Sequence, residues 1–238
     1  ARQAFETLTR GYDGAAKGRR TDGWRAPGTS ADTEVGVAGA LLRDRMRDLV
    51  RNNLADERVA QAQIYAPLID RLRAAGADCA AITSLGGHFC YDETLALSSL
   101  PLISAVKPLD AFFVAEGIGK VGLLGTQVVM RTKLYGQLGQ TEAVALEDEI
   151  QPLGQTYLDM ALSGLCTDAQ RDIFLDAGQR MVTRMGADAI VLAGTDLNLA
   201  FDGQSPDYRV IDALDVHVDV LARLAADEMT LEEAGADQ

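Results

Sequence analysis

The sequence predicts an α/β protein built from two pseudo-symmetric parallel-sheet halves flanked by helices, with a loop-plus-helix arm in front. Three observations point there. First, two stretches repeat one another: Gly76-Ala77-Asp78-Cys79-Ala80-Ala81-Ile82-Thr83-Ser84 and Gly186-Ala187-Asp188-Ala189-Ile190-Val191-Leu192-Ala193-Gly194. Each follows a helical pattern and runs into an apolar strand that ends in small residues. Second, short apolar runs alternate with segments of helical period, as in parallel sheets covered on both faces. Third, 47% of the 238 residues are hydrophobic and 24% are charged, enough apolar material for a sizeable buried core.

Taken in order, residues 10–32 are rich in Gly, Arg, Ser, Thr and Asp around Trp24 and Pro27. They carry no sustained period and read as loop. A helix over 33–53 places Leu41, Leu42, Met46, Leu49 and Val50 on one face. A second, over 56–75, turns Ile64, Leu68, Ile69 and Leu72 inward, is kinked at Pro67 and ends at Gly76. Then come a buried strand at 79–83, a short helix at 89–97, a strand at 102–106 and a helix at 109–117, broken by Gly119. A strand at 121–124, a helix at 126–138, a strand at 143–146 and a helix at 153–162 follow. The helix over 167–185 opens on Thr167 and Gln170 in capping-box spacing. A strand at 189–192 and a final helix at 213–229 complete the order.

The net charge of −13 is unevenly spread: residues 1–53 carry +3 and residues 54–238 carry −16. An acidic body repels phosphates, which argues against nucleic-acid binding, and the basic arm reads as solvated. No apolar run is long enough to span a bilayer, and no signal segment opens the chain, so a cytoplasmic location is expected. Cys79, Cys90 and Cys166 show neither metal spacing nor a disulfide framework.

Parallel α/β sheets bind ligands at the carboxyl ends of their strands. Three stretches there carry a resemblance. One runs from Gly76-Ala77-Asp78 through Ala81-Ile82-Thr83-Ser84-Leu85-Gly86-Gly87-His88. Another is Val121-Gly122-Leu123-Leu124-Gly125-Thr126, followed by Met130 and Tyr135. The last runs from Gly186-Ala187-Asp188 through Leu192-Ala193-Gly194-Thr195-Asp196. Over about residues 54–229 the chain resembles the aspartate/glutamate racemase family, the Asp/Glu/hydantoin racemase superfamily. The resemblance implies a cofactor-independent isomerase acting at the α-carbon of a small acidic amino acid, working as a homodimer. The family racemises with two cysteines on opposite faces of the substrate; here Ser84 and Gly194 stand at those positions. A serine hydroxyl needs a neighbouring base, and glycine offers no group. Neither Cys79 nor Cys90 occupies a motif position, and both read as packed small hydrophobes.

The resemblance therefore leaves Ser84, His88 and Asp196, with the Gly194 position, as catalytic candidates. His88 aligns with a family histidine, and the histidine side chain ordinarily serves as a base near neutral pH; its alternative role is a helix-start histidine bonded to backbone. Asp196 stands for the family's glutamate. Leu85, Gly86, Thr126 and Thr195 are the substrate-binding candidates. Ser84, Gly86 and Gly87 fit a small-residue anion cradle, and Thr126 follows a glycine at a strand-to-helix turn. Helix capping is the alternative for Thr126 and Thr195. His217, among Val216, Val218 and Leu221, reads as structural. No phosphate loop with lysine, metal cluster or Schiff-base lysine motif is present, so no cofactor is expected. Two other functions stay open: a carboxylate-binding pseudoenzyme, and a phage-derived structural fragment.

The latter arises from the arm. Gly11-Tyr12-Asp13-Gly14-Ala15, Gly18-Arg19-Arg20-Thr21, Gly23-Trp24 and Arg47-Asp48-Leu49-Val50-Arg51-Asn52-Asn53 are similar to the N-terminal segment of lambda-type phage portal proteins, over residues 5–53. The charge balance changes sign at the same point, which suggests a natural fusion or a misjoined frame near Asn53/Leu54. The expected division is an arm at 1–53, a first half at 54–106 with 206–229, and a second half at 107–205. On that division the first half lacks the opening strand that the repeat calls for. Unpaired edges and poor stability are then expected.

Overall fold

A computed structural model describes residues 48–237. The loop expected at 10–32, and most of the helix expected at 33–53, lie outside the described residues; 48–54 are helical. The elements that follow are α1 (Arg58–Ala74), β1 (Ala80–Ala81), a 3-10 segment (Leu85–Cys90), α2 (Tyr91–Leu97), β2 (Leu102–Ile103), α3 (Lys107–Ala115), β3 (Lys120–Gly125) and α4 (Gln127–Thr132). After them come β4 (Glu142–Val144), α5 (Ile150–Ser163), α6 (Asp168–Met185), β5 (Ala189–Ala193), α7 (Asn198–Phe201), β6 (Val210–Asp212) and α8 (Ala213–Ala225). They form two parallel sheets, β1-β2 and β4-β3-β5-β6, flanked by helices.

The larger sheet centres on β3 and β5, paired from Val121↔Ala189 to Gly125↔Ala193. All five residues of β5 are buried, as an unbroken apolar run should be when both faces are covered. Two glycines of β3 are dictated by packing. A Cβ on Gly122 would lie 2.6 Å from Ile190 Cδ1, and one on Gly125 would lie 2.7 Å from the Ala193 carbonyl oxygen. Helix α6 covers this sheet and opens with the expected capping box of Thr167 and Gln170.

The internal repeat is a repeat of structure. Gly-Ala-Asp precedes both β1 and β5, and β1 pairs β2 in parallel as β5 pairs β6. In the second half Asp188 accepts hydrogen bonds from the Gly119 and Lys120 amides and so secures the start of β3 (3.0 and 2.8 Å). Among the described residues no strand stands beside Asp78 or pairs with the other edge of β1. The residues that precede 48 lie outside the described part of the chain, so the opening strand expected to be missing is not tested there. Strand β1 spans two residues instead of the five expected, and most of 79–83 is half-buried. Strand β2 is equally short; its outer edge is held by Asp237 in an antiparallel bridge at Leu102.

Four other expectations are corrected. In helix α1, which contains Pro67, Leu72 is 37% exposed and not inward. Ile69 is buried and Ile64 packs against the core as expected, and Gln61, Ala62 and Tyr65 complete the buried face, turned toward the helical residues 48–54, where Asn52 donates to Gln61 Oε1 (3.1 Å). The helix expected over 126–138 stops at Thr132. Lys133, Leu134, Tyr135 and Gly136 then take left-handed φ values of 51°, 57°, 62° and 66°. Such a turn costs about 1–2 kcal/mol for each non-glycine residue. It is compensated by complete burial of Leu134 and by anchoring of Tyr135. Strand β6 was not expected, because its three residues merge into α8, whose first turn Asp212 caps by accepting from the Leu214 amide (2.9 Å). Helix α8 itself ends at Ala225 rather than near 229.

Both histidines are about 1% exposed. Burial lowers His88 from 6.5 to about 4 and His217 to about 3, the latter helped by the nearby His88. In the unfolded chain both bind protons near pH 6.5 while the folded forms stay neutral. Their contribution is therefore complete above that pH and falls as the pH drops toward the folded values. At pH 5 the loss is expected to be about 2 kcal/mol per histidine. Urea denaturation at pH 7.5 and pH 5 checks this; an unchanged midpoint would contradict it.

Candidate functional site

A cleft of about 350 Å³ opens at the carboxyl ends of β1, β3 and β5. Each strand delivers its part through the turn that follows it. Ser84 and Gly86 come after β1, Thr126 after β3, and Thr195 and Asp196 after β5. Five of the eight candidates thus meet in one place. The opposite walls are helical: Leu49, Val50 and Leu54 on one side, Tyr157, Leu158 and Leu162 of α5 on the other.

The first-half turn is tightly specified. Glycine at 86 leaves its Cβ direction facing Ser84 Oγ at 3.4 Å and Thr126 Cγ2 at 3.6 Å. The Leu85 carbonyl accepts the Tyr135 hydroxyl (2.7 Å), and the Gly86 carbonyl accepts Asn53 Nδ2 (2.7 Å). Thus the strained turn at 133–136 braces the turn that carries Ser84 and Gly86. Removing the hydroxyl with Tyr135→Phe leaves the Leu85 carbonyl without it, which is expected to cost about 1–2 kcal/mol in a chemical melt. No measurable loss would contradict the bracing role. Thr126 Oγ1 caps α4 by accepting from the Val129 amide (3.3 Å), while its own proton remains available as a donor.

The second-half turn holds a residue that sequence reasoning missed. Tyr157 lies with its ring where a side chain at position 194 would go: a Cβ on Gly194 would sit 2.7 Å from the ring and 2.8 Å from the hydroxyl. The Tyr157 hydroxyl donates to Asp196 Oδ2 (3.3 Å), and Thr195 Oγ1 approaches the same oxygen (3.4 Å). Gly154 makes this possible. A Cβ there would lie 2.9 Å from the Gln127 backbone nitrogen, so α5 can approach α4 closely. One helical turn later, Tyr157 reaches the end of β5. The i, i+3 pair of a small residue and a tyrosine was the available signal.

The remaining candidates lie elsewhere. His88 does not line this cleft. Its Nε2 accepts from the Ala105 amide and its Nδ1 donates to the Ser84 carbonyl, both at 2.9 Å, and its ring stacks on Tyr91. With both nitrogens engaged and burial holding its pKa near 4, the geometry is that of the backbone-bonded alternative, not of a base beside Ser84. Leu85 is buried behind the turn, and Leu85 and Gly194 border a very small cavity beside His217. None of the cysteines lines the cleft; Cys90 is buried, and desolvation pushes its thiol up to about 11. Asp196 is the one charged side chain among the described residues that line the cleft. Among the described residues no group of three or more metal-ligating side chains occurs, and no helix is long and apolar enough to cross a membrane.

Comparison with known proteins bears on both halves. The sequence pattern of the Asp/Glu/hydantoin racemase family matches residues 31–221, starting upstream of the junction expected at Asn53/Leu54. No curated protein matches the chain. Among solved structures, a candidate Asp/Glu racemase from Yersinia pestis superposes with a TM-score of 0.66 at 20% identity, covering 76% of this chain and 80% of its own. An aspartate racemase homologue from Pyrococcus horikoshii gives 0.61 at 22% identity, covering 70% and 75%. The aspartate racemase of Picrophilus torridus gives 0.55 at 17% identity, covering 74% and 70%. At these identities the likeness is one of fold.

Proposed function

The chain belongs to the Asp/Glu/hydantoin racemase family, and from that premise we propose that its cleft takes a small α-carboxylate and moves the α-proton from one side, through Asp196 and Tyr157. The observation that carries the reading is the phenol–carboxylate pair at the end of β5, packed into the space left by Gly194. Ser84, Thr126 and Thr195 supply hydroxyls at the convergent strand ends, the expected place for the substrate carboxylate. Asp196 takes the proton from the α-carbon, and the Tyr157 hydroxyl and Thr195 orient it and accommodate its change of charge. The opposite wall offers the Ser84 hydroxyl without a base, since His88 is turned onto the backbone. Two-base inversion is therefore not favoured; one-sided exchange at the α-carbon is.

Tyr157→Phe tests this with little structural disturbance, because the ring that fills position 194 is kept. Loss of α-proton signal in D₂O, followed by proton NMR across a panel of amino acids, should slow at least tenfold while ligand-induced stabilisation is retained. Unchanged exchange would remove Tyr157 from the mechanism. Ligand-induced stabilisation with no exchange by the unsubstituted protein would favour the pseudoenzyme, whose supporting observation is the loss of both thiol positions.

A further inference from the structure

The cleft is chemically two-ended. Its strand-end wall is polar, with Ser84, Thr126, Thr195 and Asp196. Its helical walls are mostly apolar, with Val50, Leu54, Leu158 and Leu162; of the amides that also line them, Asn53 donates to the Gly86 carbonyl and Gln61 accepts from Asn52. No lysine or arginine lines it among the described residues, and the one charge it holds there is negative. Arg58 lines, with His88 and Glu93, a separate cavity of about 300 Å³.

A substrate carboxylate at the strand ends points its α-substituent toward the helical walls. A second carboxylate placed there loses hydration without gaining a cation from the described lining, and Asp196 repels it. An aliphatic or aromatic group placed there instead removes apolar surface from water, both its own and that of Leu158 and Leu162. We infer that this site selects an α-carboxylate bearing an apolar substituent over a dicarboxylate such as aspartate or glutamate. The inference rests on the carboxylate reading above and refines its substrate class away from the acidic side chain expected at first.

Binding distinguishes the two claims, because it is read without turnover. Titration calorimetry of the full chain with both enantiomers of leucine, phenylalanine, aspartate and glutamate is expected to show at least tenfold tighter binding of the apolar pair. Equal or tighter binding of aspartate or glutamate would overturn the inference and leave the carboxylate reading standing; binding of none would overturn both. Leu162→Arg adds a cation to the helical wall at a position already 63% exposed, where a charged side chain does not disturb the core. Glutamate binding should then tighten at least fivefold and leucine binding should weaken; no change in preference would contradict the assignment of the helical wall to the substituent.

Discussion

Asp196→Asn is expected to slow α-proton exchange by about 10²–10⁴-fold, the usual contribution of a positioned general base. The amide keeps the size of the side chain and still accepts the Tyr157 hydroxyl, so the end of β5 and the packing of Tyr157 against Gly194 should survive. What it removes is the group that receives the proton. Affinity for a carboxylate ligand should hold or rise, because the substitution deletes the negative charge in the described lining. A kcat loss without a KM increase is therefore the expected signature. Exchange at the original rate would show that another group takes the proton, and Ser84 would be the remaining candidate in the cleft.

Gly194→Cys is expected to destabilise the fold by about 1–3 kcal/mol and to confer no activity. The position invites this substitution, since the resemblance places a cysteine there. Its Cβ would meet the Tyr157 ring at 2.7 Å, and the ring cannot retreat without pulling on α5, which Gly154 seats against Gln127. A cysteine at 194 and a tyrosine at 157 are therefore competing solutions to filling one space. Adding Tyr157→Ala to Gly194→Cys should recover part of the lost stability, the sign of a coupled pair. Gly194→Cys alone melting like the unsubstituted protein, or losses that simply add, would mean the contact carries no energy.

Much of the fold was legible because its signals are local. The Gly-Ala-Asp repeat, the apolar run of β5 and the Thr167 capping box each specify structure within a few residues, and each held. What was not legible depends on distant partners. The left-handed turn at 133–136 reads as helix, and only the carbonyls of Leu85 and Gly86 explain why Tyr135 leaves it. Strands β1 and β2 read as five residues each because their apolar runs are that long, whereas the paired stretches Ala80–Ala81 and Leu102–Ile103 are two residues each. The family match from residue 31 carries a further signal. Val35-Gly36-Val37-Ala38-Gly39 has the Val-Gly-x-x-Gly spacing of Val121–Gly125, although these residues lie outside the described part of the chain.

The site divides in the same way. Ser84, Gly86, Thr126, Thr195 and Asp196 follow strands directly, so a motif at a strand end suffices to place them. His88 also follows one, but the 3-10 segment that carries it rotates its ring behind the turn. Tyr157 comes from the middle of a helix, and no strand-end motif could have named it.

One-sided proton transfer is tested most directly by the stereochemical fate of deuterium. A single enantiomer of a bound substrate would be incubated in D₂O, and the deuterium content of both enantiomers followed at early times. Asp196 and Tyr157 acting from one face predict that deuterium appears first in the starting enantiomer, with retention, and that inversion lags behind. Deuterium confined at early times to the opposite enantiomer would require a second base on the other face, and would contradict the account.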